Sequence, residues 1–469
     1  MKVAKSHEPS TEVEKLLYDT ARRAVRYTYE ISQRRVAPSR EQIARLETFE
    51  EPLPQEGADP GSVLALLDDV GSPATVASTG GRYFGFVTGG ALPATLAANW
   101  LATAWDQNVS FEVMSPIAAR IELIALDWLR GLFNLPPSTG GGLVTGATMA
   151  NFTALAAARH ALLQRAGWDV EENGLFGAPL VSVVIGEERH VSLRKALSML
   201  GLGRARVTTV PADDQGRMIA GALPELDERT LICIQAGNVN TGAFDPAAEI
   251  CERAHAAGAW VHVDGAFGLW AAAAPARAHL VSGFTDADSW ATDCHKWLNV
   301  PYDSGAAFVR EPKHLTAAMA ASASYLQETE NRQPCHFTPE SSRRARGIEV
   351  WAALKSLGRK GIAEIVERNC RQAAFMAERL RSEGYSVLND VVLNQVLVSF
   401  GDAETTRRII AAVQSDGTCW CGPTEWKGRA AMRISVSSWA TTQTDIEQSL
   451  QAILRIAQSD RKQKNSLNT

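Results

Sequence analysis

Two short segments of this chain carry side chains that could take part in catalysis. Residues 262–268 have the sequence HVDGAFG, and residues 292–297 have the sequence TDCHKW. Each follows an apolar run typical of a buried strand, so Asp264 and Lys296 are predicted to be delivered by the ends of neighbouring strands. A lysine amine can form an imine with an aldehyde, and a carboxylate can keep a ring nitrogen protonated.

These two groups are what pyridoxal 5'-phosphate (PLP) requires of a protein. The lysine would hold the cofactor aldehyde, and the carboxylate would maintain the charge that lets the ring accept electrons. The alternative is an acidic strand end and an unrelated surface lysine, because strand ends are polar in many proteins. Asp264 and Lys296 together, 32 residues apart, favour the cofactor site.

Residues 140–163 predict a place for the phosphate. Their sequence places a strand, a glycine turn and an Ala/Leu-rich helix in succession. The free N–H groups of Ala147 and Thr148, with the Thr148 hydroxyl, would donate to an anion at the helix start. The alternative is an ordinary strand–turn–helix connection. Neither a P-loop lysine nor a GxGxxG sequence is present, so known nucleotide-binding loops do not compete.

Further candidates flank these segments. His190 lies between a predicted strand and a predicted helix, where it could stack on the cofactor ring or be a satisfied structural histidine. His295 could reach the phosphate, and the small Ala266 could let the ring lie flat against it. Lys296 is expected to have a lowered pKa through burial beside Trp297 and the cofactor, since burial disfavours a charged amine.

Residues 320–344 are long, polar and rich in turn-forming residues, which predicts a mobile loop over a site. Tyr325 within this stretch is the plausible acid for reprotonating a carbanion. The alternative is an exposed loop tyrosine with no catalytic role.

The hydrophobic pattern predicts an α/β protein in three parts: an N-terminal helical arm (1–90), a large domain (91–355) and a small α+β domain (356–469). Apolar, non-alternating strands separated by helices indicate a mostly parallel sheet covered on both faces. The predicted strands are 142–146, 180–186, 206–212, 231–237, 260–266 and 305–310 in the large domain, and 392–400, 418–422 and 430–437 in the small one. The predicted helices include 11–35, 61–69, 148–166, 192–202, 348–384, 405–415 and 445–458.

Composition narrows the class of protein. The 469 residues are 45% hydrophobic and 21% charged, with a net charge of -5, which argues against a nucleic-acid partner. No apolar run is long enough to span a membrane, and the polar N-terminus lacks a secretory signal. Seven scattered cysteines fit reduced thiols in a cytoplasmic enzyme. The close pair Cys419 and Cys421 has no second Cys/His pair nearby, so no metal site is predicted.

The chain resembles the group II PLP-dependent amino-acid decarboxylases, the family of the aromatic-amino-acid, histidine, glutamate and diaminobutyrate enzymes. The resemblance runs from RYFGFVTGG and MSPIAARIE through TGATMAN, HVSLRKA, GAFDP, HVDGAFG and DCHKWLNVPYDSG to SRRARGIEVW and MRISVSS. It implies PLP fold type I, as in aspartate aminotransferase, and an obligate homodimer with active sites at the interface.

The resemblance also implies roles for individual residues. Lys296 would carry the cofactor as the internal aldimine, Asp264 would pair with the ring nitrogen, and His190 would stack on the ring. Tyr325 would protonate the quinonoid after carbon dioxide leaves. The implied phosphate ligands are Ala147, Thr148 and His295, and Ala266 would pack beneath the ring.

The chain departs from the family at several positions. Many members read Gly-Thr-Thr after the fourth strand, whereas residues 237–240 read Gly-Asn-Val-Asn, so Asn238 or Asn240 is expected to replace a lost hydroxyl contact to the ring oxygen. Asp293 stands where several animal enzymes have asparagine. Residues 106–108 (Asp-Gln-Asn) are more polar than the wall of aromatic decarboxylases and favour a polar or acidic substrate.

The predicted activity is decarboxylation of an L-amino acid to its amine, which makes the protein a PLP-dependent carboxy-lyase. One alternative is a decarboxylation-dependent oxidative deaminase on the same scaffold, which would release an aldehyde. Another is a PLP-fold protein that has lost catalysis and binds a partner. Tyr325 favours plain decarboxylation, because family members with phenylalanine there tend to oxidise the substrate. Arg433, the candidate for a carboxylate clamp, is interpreted as structural.

Overall fold

A seven-stranded mixed sheet forms the centre of the protein. The structure is a computed structural model that describes residues 11–320 and 331–467. The strands of the central sheet are β1 (Gly140–Val144), β2 (Ser182–Gly186), β3 (Val207–Val210), β4 (Thr230–Gln235), β5 (Trp260–Asp264), β6 (Ser289–Asp293) and β7 (Gly305–Val309). Their order is β1-β7-β6-β5-β4-β2-β3.

Five strands, β3, β2, β4, β5 and β6, pair in parallel, and β7 runs antiparallel between β6 and β1. Every residue of β4, β5, β6 and β7 is buried. Strands covered on both faces have no solvent-facing side, which explains their continuous apolar sequences. The predicted mostly parallel sheet is confirmed.

Helices pack against the central sheet and against a second, smaller sheet in the C-terminal part. Those of the described residues are α1 (Thr11–Glu30), α2 (Arg40–Ala44), α3 (Pro60–Leu66), α4 (Ser72–Ala74), α5 (Pro93–Trp105), α6 (Pro116–Leu132), α7 (Ala147–Arg165), α8 (Val170–Asn173), α9 (Val191–Met199), α10 (Ala247–Ala256), α11 (Pro312–Met319), α12 (Gly347–Ser382), α13 (Ala403–Asp416) and α14 (Gln443–Leu467). Helix α12 is broken at Gly358, which has a positive φ of 59°. Within the described ranges, no helix combines the length and apolarity needed to cross a bilayer.

Helix α7 is the element that brings the predicted site together. It packs across β5, β6 and β7 and is buried along most of its length. Its many alanines let the helix backbone lie close to the sheet, because a methyl group adds little thickness. The helix begins at Ala147, three residues after β1 ends, so its N-terminus lies at the same edge of the sheet as the carboxyl ends of β5 and β6.

A second, antiparallel sheet lies in the C-terminal part. Its strands are β8 (Ser386–Val387), β9 (Gln395–Ser399), β10 (Gly422–Trp426) and β11 (Arg429–Ser435), in the order β10-β11-β9-β8. The strands predicted at 392–400 and 430–437 are confirmed. The strand predicted at 418–422 is wrong, because Trp420 pairs through its backbone with Arg82 and Phe84 and β10 begins only at Gly422.

The domain boundaries predicted at residues 90 and 355 stay predictions. The second falls inside α12, three residues before the break at Gly358.

A buried ion pair fixes α6 against β1. The Arg343 guanidinium donates to both Glu122 oxygens, at 2.8 and 2.9 Å, and its Nη1 also donates to the Leu143 carbonyl at 3.2 Å. Both charged side chains are almost wholly excluded from water. The pair therefore restrains the end of β1, the strand that leads into α7.

Substituting Glu122 by glutamine should strongly destabilise the protein. Arg343 would remain as a buried charge without its counterion, which typically costs about 3–5 kcal/mol. Urea unfolding of Glu122→Gln measures the loss. Glu364→Gln is the matched control, because Glu364 pairs with Arg368 at 2.9 Å but is half exposed, and such pairs contribute about 1 kcal/mol or less. Equal, small losses in both variants would contradict the structural role of the buried pair.

Candidate active site

A cavity of ≈ 300 Å³ opens at the carboxyl edge of the central sheet. It brings together most of the predicted site residues: Ala147, Thr148, His190, Asp264, Ala266, His295 and Lys296. Other residues that line it were not predicted as ligands: Thr145, Gly146, Ser192, Gln235, Gly237, Val239, Phe267 and Asp293. Side chains that are far apart in sequence meet here because β5 and β6 end, and α7 begins, at the same edge of the central sheet.

Asp264 is the last residue of β5, and its carboxylate is held by two donors. Asn151 Nδ2 donates to Oδ2 and the Ala266 N–H donates to Oδ1, each at 3.2 Å. Ala266 itself lies just beyond the strand end rather than on the strand. With both oxygens engaged and the side chain buried, the carboxylate has a set orientation toward the cavity.

A chain of buried, hydrogen-bonded side chains holds Asn151, which donates to Asp264. Asn151 Oδ1 lies 2.9 Å from His262 Nε2, and His262 Nδ1 lies 2.9 Å from Ser289 Oγ. Sequence reasoning missed Asn151 and His262. A signal existed for Asn151, because it stands four residues after Ala147 and therefore on the same face of α7.

Lys296 does not stand on a strand. Strand β6 ends at Asp293, and Lys296 lies in the turn three residues later. Its Nζ is 2.9 Å from Asp293 Oδ2. Asp293 Oδ1 accepts a hydrogen bond from the Ala147 N–H at 2.5 Å and lies 3.4 Å from His295 Nε2.

The charge of Lys296 differs from the expectation. Burial by itself lowers the pKa of the Lys296 amine, but the nearby carboxylates, Asp293 first and then Asp264, outweigh it and the pKa is raised. The expected lowering is therefore not found for the uncombined amine. The indole of Trp297 instead turns toward Asn369, to which its Nε1 donates at 2.9 Å.

His295 is held as a neutral ring beside the start of α7. Its Nδ1 accepts from the Ser304 N–H at 3.1 Å, so its Nε2 is the nitrogen that faces Asp293. The ring stacks on Tyr302 with centroids 4.4 Å apart. Burial lowers the pKa of His295, an effect that Asp293 only partly opposes. A Cβ at Gly146 would lie 2.8 Å from His295 Cε1, so the ring is in contact with the turn before α7.

His190 caps α9 and lines the cavity. Its Nδ1 accepts from the Ser192 N–H at 3.2 Å and lies 2.7 Å from Ser192 Oγ. Burial lowers the pKa of His190, and Asp264 opposes that shift while Lys296 adds to it. The cavity therefore presents a neutral imidazole at pH 7.

Asn238 is not among the residues that line the cavity, and its contact with the ring oxygen stays a prediction. Its Nδ2 donates to the Glu188 carbonyl at 3.1 Å, and its Oδ1 accepts from the Asn240 and Thr241 N–H groups. These hydrogen bonds of the Asn238 side chain hold the turn after β4. Asn240 Oδ1 likewise accepts from Thr424 Oγ1 at 2.9 Å.

Three other predictions have mixed outcomes. Tyr325 lies outside the residues that the structure describes. Residues 106–108 are not part of this chain's cavity wall. Arg433 directs its Nη1 toward the Val239 carbonyl at 3.4 Å and Asn240 Oδ1 at 3.5 Å, contacts that hold the loop after β4 and agree with a structural role.

The cavity suits a phosphorylated pyridine aldehyde. It offers an amine, a carboxylate fixed by two donors, a small residue at Ala266 and the N-terminus of a 19-residue helix, which favours an anion. In residues 11–320 and 331–467, no group of three or more His, Cys, Asp or Glu side chains could hold a metal ion.

Comparison with known proteins agrees with this donor set. Residues 61–401 match the pyridoxal-dependent decarboxylase conserved domain. The chain belongs to this family. It is therefore an enzyme, a PLP-dependent carboxy-lyase that decarboxylates an amino acid, and the central sheet is that of PLP fold type I.

Individual relatives are distant but match over most of their length. The aromatic-L-amino-acid decarboxylase of Bacillus atrophaeus is 25% identical over 432 residues, covering 87% of this chain and 86% of the relative. The L-2,4-diaminobutyrate decarboxylase of Rhizobium meliloti (strain 1021) is 28% identical over 433 residues, covering 86% and 83%. The crystal structure of Oryza sativa TDC with PLP and tryptamine superposes with a TM-score of 0.87 at 21% identity, covering 97% and 99% of the two chains.

Acidification should weaken the protein through His262. Burial lowers the pKa of His262 to about 3. Below pH ~6.5 the unfolded chain takes up a proton at this histidine while the folded protein does not, so the free energy of unfolding falls by up to about 1.4 kcal/mol per pH unit. Urea unfolding of wild type and His262→Asn across the acidic range measures this slope. The variant should show the shallower slope, and identical slopes would contradict the buried neutral state.

Proposed function

We propose that the cavity around Lys296 is where this enzyme decarboxylates an L-amino acid. The observation that carries this proposal is the convergence of Lys296, Asp264 and the N-terminus of α7 on one cavity. Bound there, the cofactor supplies an electron sink for the pair released when the bond to the carboxyl carbon breaks.

Different residues of the chain would hold different parts of the cofactor. Lys296 would provide the amine that joins the aldehyde, and Asp264 would keep the ring nitrogen protonated. Asn151 supports Asp264 by donating to it at 3.2 Å. The neutral His190 would stack on one face of the ring. The proposed phosphate ligands are Ala147, Thr148 and His295, and the proposed contact beneath the ring is Ala266.

The charges around the cavity favour loss of the carboxylate over its retention. His190 is neutral, because burial lowers its pKa, and it therefore offers no cation to the substrate carboxylate. The guanidinium of Arg433 is turned to the Val239 carbonyl. An enzyme that removes a carboxylate gains nothing from a cation clamped on it, since such a contact stabilises the ground state. This arrangement supports decarboxylation rather than transamination.

Product analysis is the direct test of this function. The PLP-loaded enzyme, given a pool of L-amino acids, should convert one of them to an amine with release of carbon dioxide and no uptake of oxygen, as followed by mass spectrometry and an oxygen electrode. Lys296→Ala should lose both turnover and the visible absorbance of the bound cofactor. Lys313→Ala is the matched control, because Lys313 is an exposed lysine on α11.

Two other outcomes would overturn the proposal in different ways. An aldehyde formed with consumption of oxygen would assign the oxidative branch, and cofactor binding without turnover of any amino acid would assign a binding protein. The role of Tyr325 as proton donor and the cytoplasmic location stay predictions from the sequence.

The proposed partner is a second copy of this chain. Helix α1 has no buried residue although its apolar side chains recur at helical spacing. Exposed apolar residues also cluster in sequence around α5 and the start of α6. The exposed apolar residues of these two regions are Val13, Leu17, Tyr18, Val25, Tyr29, Trp100, Leu101, Trp105, Val113, Met114 and Ile117. Surfaces of this kind typically mark protein interfaces.

Residues 106–108 lie within the second of these regions. This polar stretch is not part of the cavity wall in its own chain. In a dimer, it would reach the cavity of the neighbouring chain. Light scattering tests the assembly: we expect twice the chain mass of 50.6 kDa. Leu17→Asp combined with Val25→Asp should lower that mass, and a monomeric wild type with full activity would contradict the shared site.

A further inference from the structure

Asp293 is buried beside the amine on which the proposed function depends. Its side chain is only 2% exposed, and its Oδ2 lies 2.9 Å from Lys296 Nζ. The backbone around it is fixed at both ends, since its N–H donates to the Ala266 carbonyl at 2.9 Å and its carbonyl accepts from Trp270 Nε1 at 3.0 Å. The carboxylate is thus preset before the lysine approaches it.

The charges that face this pair come from every element packed against it. Asp264 lies at the end of β5, and His295 and Tyr302 belong to the segment after β6. His190 lies before α9, and Arg433 of β11 helps to lower its pKa, while Asp303, in the segment after β6, acts to raise the pKa of His295. Burial keeps both histidines neutral, so the lysine meets two carboxylates and no competing cation within contact distance among the residues described. Such surroundings favour the charged form of an amine.

We propose that Asp293 is a positioning residue that receives Lys296 as an ammonium ion whenever the lysine is not joined to the cofactor. This inference rests on the proposed function, because it takes Lys296 as the attachment point. Asp293 thereby sets the pH at which the lysine becomes reactive, and it gives the released amine a defined place during turnover.

The chemical step shows why the proton matters. The ammonium of Lys296 first loses one proton to solvent, which frees the nitrogen lone pair. The nitrogen then attacks the aldehyde carbon, a C=N bond replaces the C=O bond, and the aldehyde oxygen leaves as water. While Asp293 holds the ammonium, the lone pair is absent and attachment waits.

Asp293 also engages the Ala147 N–H, at 2.5 Å, at the start of α7. A phosphate placed at that helix start meets a carboxylate already there. A change at Asp293 can therefore alter the affinity for the cofactor as well as the reactivity of Lys296. The two effects separate kinetically, because affinity sets the half-saturating concentration whereas the state of the amine sets the limiting rate.

Asp293→Asn tests the inference, since the amide keeps an oxygen for the Ala147 N–H but removes the negative charge. PLP at saturating concentration is mixed with cofactor-free enzyme, and the limiting rate of appearance of the visible band is measured against pH. The variant's profile should shift to lower pH, and its rate at neutral pH should rise by about tenfold for each unit of that shift. Asp303→Asn is the control, because Asp303 pairs with Arg346 at 2.9 Å and does not contact Lys296.

An Asp293→Asn profile that coincides with wild type would overturn the inference while leaving the proposed function intact. Failure of wild type itself to form the band would instead refute the attachment point. If the variant does not fold, as judged by circular dichroism, the wild type decides alone. In that case, Lys296 of the wild type is labelled with an uncharged, amine-reactive reagent across a range of pH, and the labelling is followed by mass spectrometry. The pKa of Lys296 obtained in this way should lie above the ordinary 10.5. A value at or below 10.5 would refute the role of Asp293.

Discussion

The close approach of the α7 N-terminus to the ends of β6 and β7 is the constraint on which the rest of the site depends. A Cβ at Gly305 would lie 2.7 Å from Gly146 Cα, so the turn before α7 leaves no room for a side chain at Gly305. This contact places the first amide of α7 within 2.5 Å of Asp293. The dipole of a long buried helix, two carboxylates and a lysine are thereby held around a single cavity.

Burial then decides which of these groups carry charge. His190, His262 and His295 are all neutral, because removing an imidazolium from water is costly and no neighbouring carboxylate offsets that cost fully. Lys296 stays charged, since Asp293 and Asp264 stabilise its ammonium more than burial penalises it. The site therefore combines a cation that two carboxylates hold with neutral rings that can face a planar cofactor.

Much of this was predictable from local pattern. Strands such as Trp260–Asp264 and helices such as Ala147–Arg165 follow from apolar runs and from the Ala-rich segment after a glycine turn, which are properties of neighbouring residues. The strand predicted at 418–422 failed because the alternation of Cys419, Trp420 and Cys421 is a strand-like pattern. In the folded chain, Trp420 finds its backbone partners at residues 82 and 84 rather than in β11.

The sequence by itself determined the family and the cofactor and predicted Asp264 and Lys296 as its ligands, because the motif order and the spacing of these two residues are properties of the chain. Only the tertiary structure decided which side chains surround them. Asn238 bonds to the Glu188 carbonyl, Asn151 donates to Asp264 from the buried face of α7, and the pKa of Lys296 is raised rather than lowered. Hydrogen-bond partners and charge states depend on distances between segments far apart in sequence, and no local pattern contains those distances.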